Sequence, residues 1–262
     1  MLTTRLITAA IGIPILAGVV WVGGPLLAVV VALAAFVAQI EFAIARGALK
    51  NHIAIAGAVC GAALPVLALA SEEYVLGGAV ATIGIVSTVY TLTKSPKDDL
   101  ENWLWGVGGA LYLGGLAAYF VLLREVDNGR DWVFFTLITV WVTDTGAYAV
   151  GRAMGKHKLA PAISPGKTIE GSVGSLVVGF VCVFVLNEVL DRGLAAEHWI
   201  ALGLLLPPII GIGDLVESAI KRALAVKDSS GLVPGHGGIA DRLDSLLFAA
   251  PLVFYYVTWV VY

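Results

Sequence analysis

From Asp214 to Asp244 the chain reads D-L-V-E-S-A-I-K-R-A-L-A-V-K-D-S-S-G-L-V-P-G-H-G-G-I-A-D-R-L-D. Five acidic residues, four basic residues, a histidine and four glycines stand here between two long apolar runs. A segment this polar, flanked in this way, is a loop between two membrane spans. The rest of the chain has to place it at a membrane surface and hold it there.

Composition agrees. The 262 residues are 59% hydrophobic and 13% charged, with a mean hydropathy of +0.91. A soluble domain carries about a quarter charged residues, so half that fraction leaves too little polar surface to solvate a globule. Apolar stretches of about 20 residues recur, each long enough to cross the hydrocarbon layer as a helix. The net charge of -3 is small and unevenly spread, and no nucleic-acid partner is expected. Cys60 and Cys182 each sit in an apolar run with no Cys or His at metal-ligand spacing, where cysteine behaves as a small hydrophobe. The first apolar run, after Arg5, lacks a small-residue cleavage site and is read as a retained helix.

The expected fold is an all-α polytopic integral membrane protein of about nine transmembrane helices. They lie near 5–23, 26–45, 53–71, 74–93, 103–123, 132–151, 171–190, 198–216 and 245–262. Gly106, Gly108, Gly109, Gly114 and Gly115 in the fifth suit close helix packing. Pro14, Pro65, Pro207 and Pro208 fall inside spans, where kinks are tolerated. Trp21, Trp103, Trp132, Trp199 and Trp259 fall near span ends, as interfacial aromatics do. With the amino terminus cytoplasmic, thirteen of the sixteen basic residues are cytoplasmic, leaving Arg124, Arg130 and Arg192 outside; that asymmetry follows the positive-inside rule. The two long loops, 152–170 and 217–244, then share the cytoplasmic side. One membrane domain over 1–262 is expected. In it, roughly 1–130 carry no motif and 131–262 carry the chemistry.

Asp144, Tyr148 and Arg152 recur at helical spacing on one face. A carboxylate inside a span is costly and faces a cavity or the protein interior, so Asp144 is a catalytic candidate. Downstream, Ser164-Pro165 reads as a helix start, with serine as cap and proline in the first turn, and its free N–H groups would favour an anion. Lys167 and Glu170 join the catalytic candidates, whereas Lys156 and Lys158 read as membrane-surface charge. Gly166-Lys167-Thr168 resembles the tail of a phosphate-binding P-loop. The upstream glycine and a preceding strand are both missing, and the match is rejected.

In the opening stretch, Asp214, Glu217, Ser218 and Lys221 share a helical face, and Asp241 and Asp244 repeat a three-residue spacing before the last span. Two carboxylate-bearing helix ends at one membrane depth suit Mg²⁺, which binds through one or two carboxylates plus substrate phosphates. Asp214, Asp241 and Glu217 are the metal candidates, and Asp244 is a further catalytic one. Arg152, Ser218, Lys221, Arg222, Lys227, Asp228, His236, Gly237, Gly238 and Arg242 are the candidates for substrate and phosphate. Cations and permissive glycines around a metal are what phosphoryl or nucleotidyl transfer needs.

Ser218 to Asp244 resembles the signature of the phosphatidate cytidylyltransferases (CDP-diacylglycerol synthases) in their bacterial form. The D-T-G-A-Y…G-R…G-K…S-P-G-K-T-I-E-G run from Asp144 to Gly171 is similar to the family's other recurring block. Val233 stands where isoleucine, leucine or phenylalanine is usual. The resemblance implies that CTP and phosphatidate give CDP-diacylglycerol and pyrophosphate with Mg²⁺. It implies that Asp214 and Asp241 match metal-site aspartates, with a monovalent cation such as K⁺ nearby. It also implies an all-helical homodimer among membrane lipids of the bacterial inner membrane, with its active site facing the cytoplasm. A CTP-using lipid or polyprenol kinase shares this metal and phosphate logic. A secondary transporter would place polar residues at several span midpoints, but here they gather at span ends and in loops.

Overall fold

The apolar runs fold as helices. In the computed structural model the described residues are 2–93, 99–190, 194–235 and 237–261, with the side chains of 2–6 and of Asp99 left aside. Lys94, Lys97, Arg192, His236 and the Arg5 side chain, all used above, lie outside them. The chain divides into two compact units, Met1–Arg130 with Leu224–Leu243, and Asp131–Ala223 with Asp244–Tyr262.

In the first unit come α1 (Leu2–Val22), α2 (Gly24–Ala45), α3 (His52–Leu67), α4 (Glu72–Leu92) and α5 (Asp99–Gly109). The last continues through a π-helical turn (Ala110–Gly115) into α6 (Leu116–Glu125). The break between α1 and α2 is set at Gly23 and Gly24, whose φ angles are 69° and 51°, a region L side chains rarely adopt. Arg124 packs against the same break. Its Nε and Nη2 donate to the Val20 and Trp21 carbonyls at 3.0 and 3.2 Å, satisfying acceptors that the end of α1 leaves open. At the start of α3, Asn51 accepts from Ile53 N at 2.8 Å. The glycines of the fifth span serve packing as expected: Gly114 lies on the backbone of Gly61, and Gly109 on the Gln39 side chain. Gly108 has open space beside it.

In the second unit α7 (Gly129–Met154, its first two residues belonging to the first unit) leads into an antiparallel hairpin, β1 (Lys158–Ala160) and β2 (Ser164–Thr168). Then come α8 (Ile169–Val189), α9 (Ala196–Ala223) and α10 (Ala240–Tyr256, its first four residues belonging to the first unit), which ends in a π-helical turn, Val257–Val261. The three helices α7, α8 and α9 meet over small residues. Gly146 faces Val178, Gly174 faces Val150, and Gly179 faces both Pro207 and Thr143.

Among the described residues, seven helices are long and apolar enough to cross a membrane; Ile7–Val22 and His52–Leu67 are apolar but shorter. Leu92, Val80 and Val189 are more than 70% exposed, an arrangement that hydrocarbon accommodates and water does not. The chain is therefore an all-α integral membrane protein, with one small hairpin among the described residues. Three details depart from expectation. Ser164-Pro165 does not start a helix: those residues open β2, and α8 begins at Ile169 with Thr168 as its cap, accepting from Gly171 N at 3.1 Å. A strand does precede Gly166-Lys167-Thr168, but the three lie in β2 rather than in a loop, so no P-loop geometry results. Trp132 is 1% exposed and stacked edge-on against Phe135, a core residue and not an interfacial one. Trp21 and Trp259 are well exposed.

Candidate functional site

Two clusters of polar side chains stand out, one in each unit. In the second unit a cavity of about 680 Å³ is walled by α7, β2, α8 and α9. Asp144, Arg152, Lys167 and Asp214 line it together with apolar groups such as Ile169, Val173 and Pro207. β2 brings Lys167 into contact with α9: its Nζ is 2.9 Å from Asp214 Oδ2 and 3.5 Å from the Gly211 carbonyl. The other oxygen of Asp214 receives the Ser218 hydroxyl at 3.4 Å. Asp214 is 37% exposed at its side chain, and partly exposed ion pairs contribute only about 0–1 kcal/mol. Lys167 can exchange Asp214 for a phosphate at little cost.

Asp144 stands within electrostatic reach of Asp214, Asp244 and Lys167. Three carboxylates and Lys167 thus stand near one another in this unit. Among the described residues no three His, Cys, Asp or Glu side chains form a ready cation cage. Arg152 Nη1 donates to the Tyr148 hydroxyl at 2.8 Å. That contact is the helical i, i+4 neighbour expected and leaves the guanidinium charge unneutralised by it.

Other candidates are engaged elsewhere. Glu170 accepts from the amides of Lys156 and His157 and lies 2.6 Å from His157 Nδ1, so it braces the entry to the hairpin. Gly151, Gly155 and Gly171 crowd around the Thr168 side chain, where a Cβ at any of them would stand at 3.0 Å or less. The glycines of this block therefore serve close packing at the start of α8. Glu217, 1% exposed, pairs with Lys221 at 2.7 Å. Arg222 Nε donates to the Ile163 carbonyl at 3.1 Å and so ties the end of α9 to the hairpin turn. Asp244 Oδ1 accepts from Ser245 N at 2.6 Å.

In the first unit the glycine loop of the opening stretch is folded around buried carboxylates. Asp241, 5% exposed, accepts at Oδ2 from Ser229 N (2.9 Å), Ser229 Oγ (2.8 Å) and Gly238 N (2.7 Å). Gly237 takes φ of 86°, and a Cβ on it would stand 2.6 Å from Asp241 Oδ2. Val233 N bonds the Gly237 carbonyl at 2.8 Å, closing the tip of the loop. Lys227, Asp228 and Arg242 are exposed at its edge. Glu41 of α2 also enters this loop, through Ser229, Ser230, Ile239 and Ala240. It was missed above, although a lone carboxylate inside an apolar span is the same signal that singled out Asp144.

Residues 3–260 match the model of the cytidylyltransferase family. A protein of Bacillus subtilis (strain 168) named phosphatidate cytidylyltransferase is 42% identical over 147 residues, 56% of this chain and 55% of that protein. One of the same name from Staphylococcus aureus (strain COL) is 39% identical over 166 residues, 63% of this chain and 62% of the other. A third, from Staphylococcus epidermidis (strain ATCC 35984), is 34% identical over 255 residues, 95% of this chain and 96% of that one. The chain thus spans little more than half the length of the first of these relatives and nearly all of the third.

Proposed function

The chain belongs to the cytidylyltransferase family, and from that premise we propose that it is itself a phosphatidate cytidylyltransferase, joining CTP and phosphatidate into CDP-diacylglycerol and pyrophosphate. The observation that carries this reading is a cavity with an apolar wall and a polar one, where Arg152 and Lys167 stand beside Asp144 and Asp214. Such a site suits a lipid phosphate and a nucleotide triphosphate together.

A phosphatidate oxygen attacks the α-phosphorus of CTP, a new P–O bond forms, and the bond to the β-phosphate breaks to release pyrophosphate. The nucleophile is already anionic, so no side chain has to remove a proton. The barrier lies in bringing two polyanions together. Arg152 binds one phosphate group with a guanidinium fork, and Lys167 leaves Asp214 to neutralise another. Asp214, with Asp144, would hold Mg²⁺, which when bound supplies charge neutralisation for the triphosphate. A monovalent cation beside it belongs to the same proposal. Holding both reactants in line removes the entropy of a two-body encounter, which is worth about 7–11 kcal/mol in favourable cases. Apolar side chains along α8 and α9 receive the acyl chains.

We further propose about nine spans crossing a bacterial inner membrane, with the amino terminus and both long loops on its cytoplasmic side and the protein acting as a homodimer. Thirteen cytoplasmic basic residues support that orientation. Purified protein in mixed micelles with labelled CTP tests the activity. Labelled CDP-diacylglycerol is expected only when phosphatidate and Mg²⁺ are both present. Transfer of label from γ-labelled CTP to diacylglycerol would instead identify a lipid kinase. A cysteine placed at Lys227, in protein stripped of Cys60 and Cys182, tests the orientation: it should react with an impermeant maleimide only from the cytoplasmic side.

A further inference from the structure

Between residues 1 and 71 the chain has a single acidic side chain, Glu41. It is 3% exposed, and the chemistry proposed above makes no use of it. Its surroundings are unusually complete. Oε1 accepts the Ser230 hydroxyl at 2.6 Å and Ile239 N at 2.9 Å. Oε2 accepts the Ser229 hydroxyl at 3.1 Å and Ala240 N at 3.0 Å. A carboxylate has about four lone-pair directions, and all four are filled here. Each oxygen takes one hydroxyl from the beginning of the glycine loop and one amide from its end. The side chain therefore closes the loop like a clasp.

Helix electrostatics point the same way. Glu41 lies near the carboxyl-terminal end of α2, where a negative charge is unfavourable on its own helix. It is set against the first amides of α10, where a negative charge is favourable. The placement makes sense through the loop and not through α2. Ser229 then carries the connection onward. Its one hydroxyl proton lies between Glu41 Oε2 and Asp241 Oδ2, 3.1 and 2.8 Å away, so the two carboxylates are oriented by a shared donor. Gly238 has no space for a side chain, because a Cβ would stand 2.6 Å from Glu41 Oε2.

We propose that Glu41 is a positioning residue for the glycine loop: it sets the direction of the Asp241 carboxylate and of the Gly237–Gly238 backbone, and acts on turnover only through them. The effect on turnover rests on the cytidylyltransferase reading; the clasp itself does not.

The test uses full-length wild type, E41Q and E41D in lipid-containing micelles. In E41Q an amide N–H group faces donors that need an acceptor. Its kcat is expected to fall about 10- to 100-fold, the loss that small misplacements of reacting groups cause. The KM for phosphatidate should stay within about twofold, because a positioning role leaves uniform binding alone. E41D keeps the charge and should regain several-fold of the lost kcat. Hydrogen exchange at the amides of residues 229 and 238–240 should accelerate at least tenfold in E41Q, with α7 to α9 unchanged. Wild-type kcat in E41Q, a loss confined to KM, or unchanged exchange would overturn the proposal. Where E41Q does not yield folded protein, S229A/S230A withdraws both hydroxyls and leaves the carboxylate. The same kcat loss and faster exchange are expected there, and their absence is equally decisive. A wild type that makes no CDP-diacylglycerol counts against the activity, and the exchange measurement then decides the clasp alone.

Discussion

The carboxylates of the two units live under opposite conditions. In the glycine loop, Glu41 and Asp241 are almost wholly buried, and the Glu41 carboxylate is filled by donors from the protein itself. In the cavity of the other unit, Asp214 is more than a third exposed, has one lysine and one long hydroxyl contact, and faces open volume. Saturated carboxylates fix a backbone; undersaturated ones are left to receive a ligand. Residues of one chemical type thus divide into those that hold a backbone in place and those left open to a ligand.

Substitutions can break or sharpen that division. The largest effect is expected from Asp214→Asn. Losing a charge-bearing group at the reacting phosphates should lower kcat/KM about a thousandfold, while the denaturant midpoint stays close to wild type because the side chain is partly exposed. An unfolded or fully active D214N would break the comparison. Asp241→Asn should lose both activity and stability. Its Oδ2 accepts three donors, and a buried hydrogen-bonded charge contributes about 1.5–3 kcal/mol per bond. A stable but inactive D241N would move Asp241 to the ligand-binding class. Gly238→Ala forces a methyl group against Glu41 and Ser229 and should cost about 1–3 kcal/mol, read as a lower denaturant midpoint. Lys158→Ala, on an exposed face of the hairpin, should alter stability by less than about 0.5 kcal/mol and activity by less than twofold.

Much of this was legible in the sequence, for identifiable reasons. Spans are written in hydropathy, and the helical spacing of Tyr148 and Arg152, and of Glu217 and Lys221, predicted real side-chain contacts. What escaped depends on partners distant in sequence. Lys167 and Asp214 are 47 positions apart, and no local pattern announces their ion pair. The hairpin escaped because serine before proline reads equally well as a helix cap, and a three-residue strand has too little periodicity to compete. Trp132 looked interfacial by position, whereas its neighbours bury it. Glu41 was visible as a lone charge in an apolar span, but it belonged to no motif. Its meaning depends on hydroxyls nearly two hundred residues away.

That separation has a consequence for biosynthesis. Ser229 follows Glu41 by 188 residues, and ribosomes add about 5–20 residues per second, so α2 waits roughly 10–40 s, at that rate, before the first hydroxyl of its clasp emerges. During that interval an intramembrane carboxylate has none of its final donors. Its position near the end of α2 lets water or lipid headgroups serve as temporary hosts. Nascent chains halted before residue 229 should accordingly be sensitive to the quality-control proteases that recognise exposed charge in a span, and those halted after Ala240 should escape them.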